Sequence, residues 1–219
     1  MPFSRAASAS VVSVSSVVGG SWTVVGAAGL VERTPTTVPT ANVSALLGAT
    51  CAASPWNGTS IPAVLSVPTY SGGFDSGVAP FWLVFLANAA TGTYVLVEVL
   101  NGTAAPLAKI GGTGCGGSGT SGRSLPSGTV DSPVAARTVW ADAGNGWVDQ
   151  DPGLTSLTMG AFGGGSYLGM SYPGVWGFVY SSCNPLGGGT TQQPAFIAAV
   201  NLTTGLLTAA FSYHVDCAT

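Results

Sequence analysis

The chain has 219 residues, five basic and eight acidic groups, one histidine and a net charge of −3. Charged residues are 6% of the total, where a globular chain carries about 25%. Lys109 is the only lysine and the pI is near 4.7, so a basic nucleic-acid-binding face is excluded. One His and no C-x-x-C exclude the usual zinc patterns.

The first twenty residues stand apart. Residues 7 to 18 read Ala-Ser-Ala-Ser-Val-Val-Ser-Val-Ser-Ser-Val-Val, with no charge and no Leu, Glu, Lys or Gln to favour a helix. This composition predicts extended backbone, with Ala7, Ala9, Val11, Val12, Val14, Val17 and Val18 as its apolar positions. Gly19 and Gly20 follow as a hinge. A bare strand of this kind at a terminus must pair with something. It is either the first strand of the chain's own sheet or a strand donated to a second copy. As a secretion signal it is Ser-rich and lacks Leu. No stretch offers the roughly twenty apolar residues of a membrane span. The expected division is a tail over 1–20 and one β domain over 21–219.

Short apolar runs between turn residues predict many strands after the hinge. Ser21 to Val25 is the first, residues 33 to 60 are loop-like, and Ile61 to Val67 is a strand that Pro62 places at an edge. Pro80 to Asn88 is apolar on both faces and reads as a central strand. A turn at Ala89 to Gly92 leads to Thr93–Leu100, and Asn101-Gly102 makes a tight turn into Thr103–Ile110. The Gly-rich run over 111–128 lacks the Gly-Lys-Ser/Thr ending and the helix of a phosphate loop. Further strands are expected at Arg137–Ala141, Leu154–Phe162 and Gly174–Ser181. Ala195–Val200 and Leu206–Tyr213 close the chain as a hairpin. The fold class that follows is an all-β, antiparallel, jelly-roll-like sandwich with no helix.

Four cysteines suit two disulfides and an oxidising compartment. Three pairings are open, and Cys183 with Cys217 and Cys51 with Cys115 is the favoured one. Sequons for N-glycosylation occur at Asn42, Asn57, Asn101 and Asn201. With only eight carboxylates the chain has little to lose in acid, so acid tolerance is expected.

Several patterns invite a chemical reading. Ser212, His214 and Asp216 alternate on one strand, but a triad is built in space from separate elements. Glu32 and Glu98 are the only glutamates, and Glu98 lies between apolar residues where its pKa would rise. The hairpin Asn201-Leu-Thr-Thr-Gly resembles hairpins of secreted glutamic peptidases, which implies Glu98 as the acid of a hydrolase. An amide between Lys109 and an Asn or Asp side chain, with Glu98 as proton shuttle, is another arrangement. Asp142, Asn145, Asp149 and Asp151 cluster in a loop without EF-hand spacing. Trp82, Trp140, Trp147 and Trp176 could stack sugars, though tryptophans of a β-sandwich mostly fill its core.

A Val/Ser tail before a Gly hinge, a charge-poor β domain, paired cysteines and several sequons occur together. In this the whole chain resembles the subunits of archaeal surface threads and bundling pili. The resemblance implies a glycosylated, extracellular structural protein that lends residues of about 6 to 18 to its neighbour by donor-strand complementation. It implies self-association into a filament for adhesion or cell contact, with no catalysis, metal or cofactor. The alternatives are a secreted β-sandwich hydrolase and a viral or cellular coat protein.

Overall fold

The structure, a computed structural model, describes residues 18–39, 53–55, 63–88, 90–111, 125–144, 147, 153–163, 165–167, 170–172, 174–187 and 189–217. The strands are β1 (Thr23–Glu32), β2 (Thr36–Pro39), β3 (Ala53–Pro55), β4 (Val64–Val67), β5 (Phe81–Asn88), β6 (Thr93–Leu100) and β7 (Thr103–Gly111). After helix α1 (Ser132–Val139) come β8 (Ser156–Phe162), β9 (Gly165–Tyr167), β10 (Met170–Tyr172), β11 (Val175–Ser181), β12 (Thr191–Asn201) and β13 (Leu207–Cys217).

The fold is the all-β antiparallel sandwich expected from the sequence. Nine strands form one antiparallel sheet in the order β13-β12-β11-β8-β1-β5-β6-β7-β3. The small sheet of β2 and β4 packs on one face, where Val38, Leu65 and Val67 meet Leu30, Phe81, Leu83, Phe85 and Leu96. The opposite face carries the larger core, from Val95 and Val97 through Trp82 and Trp176 to Phe196, and α1 covers it with Ala135, Ala136 and Val139.

β1 is the middle of this sheet and is paired on both sides, from Thr23 against Ala87 to Glu32 against Ser156. Its bareness is what makes room: a Cβ on Gly29 would lie 2.8 Å from the ring of Trp82, which crosses over that glycine. The Trp82 ring thereby reaches Trp176 at 6.2 Å, edge to face, although β1 and β8 run between their strands.

The sequence-based expectation fails in three places. β1 runs on to Glu32 rather than ending at Val25. The stretch 33–60 contains β2 and β3, and the strand expected from Ile61 is described only over Val64–Val67. Arg137–Ala141, expected as a strand, is the end of α1 and a π-helical turn, Trp140–Gly144. The Asp131 carboxylate accepts from Ser132 N at 2.9 Å and Pro133 sits in the first turn, which together start a helix.

Gly77 fastens the loop before β5 to that helix start. Its φ is +65°, and a Cβ there would lie 2.4 Å from the Ser132 carbonyl oxygen and 2.6 Å from Pro133 Cα. Both obstacles are backbone. Gly77→Ala should therefore cost about 2 kcal/mol from left-handed strain and overpacking together, read as a lowered denaturant midpoint. An unchanged midpoint would mean that the loop does not seat on α1.

Candidate functional site

Three features stand out: the point where the tail leaves the domain, an open sheet edge, and a buried carboxyl.

Of the predicted extended tail only Val18 is described, and its backbone is helical, not extended. It is half-buried and packs against the larger core, so it belongs to its own domain. Ala7, Ala9, Val11, Val12, Val14 and Val17 lie outside the described residues. Gly19 and Gly20, the predicted hinge, are exposed and have φ of +70° and +83°. That conformation suits glycine and turns the chain sharply before β1. The Trp22 indole N–H donates to the Gly19 carbonyl and pins the base of the turn.

At the far side of the sheet β13 pairs with β12 from Thr191–Cys217 to Val200–Leu207. Among the described residues no strand lies on its outer side. Ser212, Tyr213 and His214 are all exposed, Tyr213 at 55%, so neither face is covered there. The strand has no Pro, Lys, Arg or Glu, and Asp216 is its only carboxylate and His214 its only basic side chain. The expected Cys183–Cys217 disulfide is present and clamps its end. Cys51 and Cys115 lie outside the described residues. The opposite edge is the three-residue β3, which ends in Pro55.

Glu32, not Glu98, is the deeply buried glutamate. It is 3% exposed, and Ser156 Oγ donates to its Oε1 at 2.9 Å across the β1–β8 ladder. Burial pushes its carboxyl up to about 7, and the Ser156 hydrogen bond offsets only part of that. Arg33 does not neutralise it: its Nη1 donates to the carbonyls of Tyr70 at 3.0 Å and Gly72 at 2.7 Å, with the guanidinium over the Phe74 ring. Thr158 Oγ1 and Asn184 Nδ2 are buried without a hydrogen-bond partner among the described residues. A carboxyl near 7 suits proton transfer. The one histidine, however, is on β13, with β12, β11 and β8 between it and β1.

The other candidates separate. Glu98 is half-buried on β6 opposite Leu83, and burial raises its pKa. Ser212, His214 and Asp216 share one exposed face of β13, an edge strand rather than a cleft. Trp82 and Trp176 are buried, and Trp147 stacks on Phe196 at 5.9 Å, so these rings fill the core. Asp142 is exposed in the π-helical turn, while Asn145, Asp149 and Asp151 lie outside the described residues. Among the described residues no acidic, His or Cys group is arranged to hold a metal. Lys109 is exposed on β7.

Two sequons are placed. Asn101 is exposed in the β6–β7 turn at φ +48°, whereas Asn201 is half-buried and its Oδ1 accepts from Thr203 N and Thr204 N. Asn42 and Asn57 lie outside the described residues. An open groove of about 590 Å³ beside Asn101, lined by Thr36, Thr37, Ser66 and Leu100, contains no acid or base. Among the described residues no helix is long and apolar enough to cross a membrane. Compared with family models, curated proteins and solved structures, the chain matches none of them.

Proposed function

We propose that the protein is the structural subunit of an extracellular filament, joined head to tail by residues of about 7 to 17 of one copy entering the sheet of the next. The observation that carries this reading is the exposed Gly19–Gly20 turn with both φ values positive, placed directly before the central strand. β1 already has a partner on each side, so the Val/Ser segment before the turn is not needed to start the large sheet. Helical Val18 anchors its own domain, which moves the end of the donated segment back to Val17.

The energetics favour such an exchange. Burying four or five Val side chains contributes about 1.5 kcal/mol each, and main-chain hydrogen bonds add to it. Ordering the tail and fixing one subunit on the next oppose these gains. A head-to-tail contact does not close on itself, so it propagates. The sparse charge fits a chain that assembles rather than stays dispersed. The Cys183–Cys217 disulfide is compatible with an extracellular site, and of the two described sequons exposed Asn101 is the better placed to carry a glycan.

A synthetic peptide of residues 5–17 tests this directly. Added to subunits, it should occupy acceptor sites and stop polymer growth, seen as a loss of light scattering. Growth that continues unchanged with a large excess of peptide would contradict the reading.

A further inference from the structure

We propose that β13 is a homotypic pairing edge: two copies join their β13 strands antiparallel about a two-fold axis through Ser212, making one continuous sheet. The inference goes beyond the filament reading and does not use the tail.

From Ala209 to Cys217 the edge has no Pro, Lys or bulge, and it lacks there the usual protection against edge-to-edge association. The one register shift of the β12–β13 ladder makes Thr208 the extra residue of β13, between Ala209 opposite Ala199 and Leu207 opposite Val200, so the regular edge begins at Ala209. The disulfide to Cys183 holds its end, so the strand is presented in fixed form.

The sequence of β13 is complementary to itself over the regular stretch Ala209–Val215. With Ser212 on the axis, Phe211 lies opposite the partner's Tyr213 and Ala209 opposite the partner's Val215. Every apolar residue of the odd-numbered face from Ala209 to Val215 then meets an apolar one. That face continues the cluster of Val179, Ala195 and Ile197, to which Phe211 already belongs as a half-buried member. Tyr213, 55% exposed in the single copy, gains the partner's Phe211 as a cross-strand neighbour. Charge is compatible as well. At about 3.4 Å per residue the two Asp216 carboxylates fall roughly 27 Å apart and the two His214 rings roughly 14 Å apart. Both spacings exceed the Debye length of about 8 Å at physiological salt. No like charges face each other, and the two-fold symmetry is the commonest form of self-association.

The test uses the full chain with Val12→Asp and Val14→Asp, which put charge on the tail and remove its part in assembly. Sedimentation over a concentration series should show a dimer. Adding Ser212→Lys, or separately Ser212→Asp, places two like charges on the axis and should weaken dimerisation at least tenfold, with Tm unchanged because Ser212 is exposed. Mixing the Lys and Asp forms should restore a dimer containing one of each. A monomer at every concentration, a dimer indifferent to both Ser212 changes, or no rescue on mixing would each overturn the proposal. The filament reading fails separately: there the unmodified protein forms no polymer, whatever the β13 variants do.

Discussion

At pH 8 the folded protein is expected to be about 3 kcal/mol less stable than at pH 4, from Glu32 alone. The fold raises this carboxyl from 4.5 to about 7, because it is 3% exposed and its side-chain hydrogen-bond partner among the described residues is a neutral hydroxyl, Ser156. Each pH unit between those values is worth about 1.4 kcal/mol. A raised pKa means that the folded state holds a proton the unfolded chain would release. The stabilising contribution is therefore complete below pH 4.5 and is lost as pH rises through 7. Glu98, also raised by burial, acts in the same direction. Glu32→Gln keeps an acceptor for Ser156 without a charge. It should match the parent protein near pH 4, exceed it by about 3 kcal/mol at pH 8, and flatten the pH profile in denaturant titrations. Parent stability that is constant or rises between pH 4 and pH 8 would contradict this account. Acid tolerance, expected from the scarcity of carboxylates, thus gains a specific residue.

Trp176→Ala should cost about 3–5 kcal/mol, the usual range for a large aromatic removed from a tight core. The side chain is 1% exposed and contacts two rings, Trp82 at 6.2 Å and Phe178 at 6.3 Å. Its indole N–H donates to the Val130 carbonyl at 2.8 Å, which fixes the chain entering α1. Val130 N is tied in turn to the Leu202 carbonyl at 2.6 Å, so one indole links β11, the helix approach and the β12–β13 turn. Trp176→Phe retains a ring and loses the hydrogen bond, and its cost should fall between that of alanine and zero. Chemical denaturation gives both values, provided the m-value is unchanged. A loss below about 1 kcal/mol for the alanine variant would mean that the helix-covered face is not the main core.

The elements legible in the sequence are those specified by near neighbours. Asn101-Gly102 adopts φ of +48° and +82°, as a tight hairpin requires, and β5, β6 and β7 follow from it. Phe81–Leu86 is buried throughout, as its unbroken apolar run implied. Cys183 and Cys217 pair as expected at the end of the last strand. β1 was harder to read because Gly26-Ala-Ala-Gly29 has little strand propensity of its own. Its extension comes from partners on both sides and from the Trp82 ring that only Gly29 admits. α1 was signalled by Asp131-Ser132-Pro133 but is only eight residues long, and its Val and Thr residues favour strands locally. Apolar flanks drew attention to Glu98. Glu32 is buried where β1 pairs with β8, beside Ser156, 124 residues away, which no local pattern reports. Of the stretch expected to be extended, residues 7–18, Val18 alone is described, and it is helical.

Negative-stain electron microscopy of the full-length protein beside the Val12→Asp, Val14→Asp form tests head-to-tail assembly most directly. Thin filaments from the first and only small discrete particles from the second, with equal Tm for both, is the predicted result. Small discrete particles from both, or a Tm that collapses with the tail substitutions, would make residues 7–17 part of the domain's own fold and remove the basis for a filament.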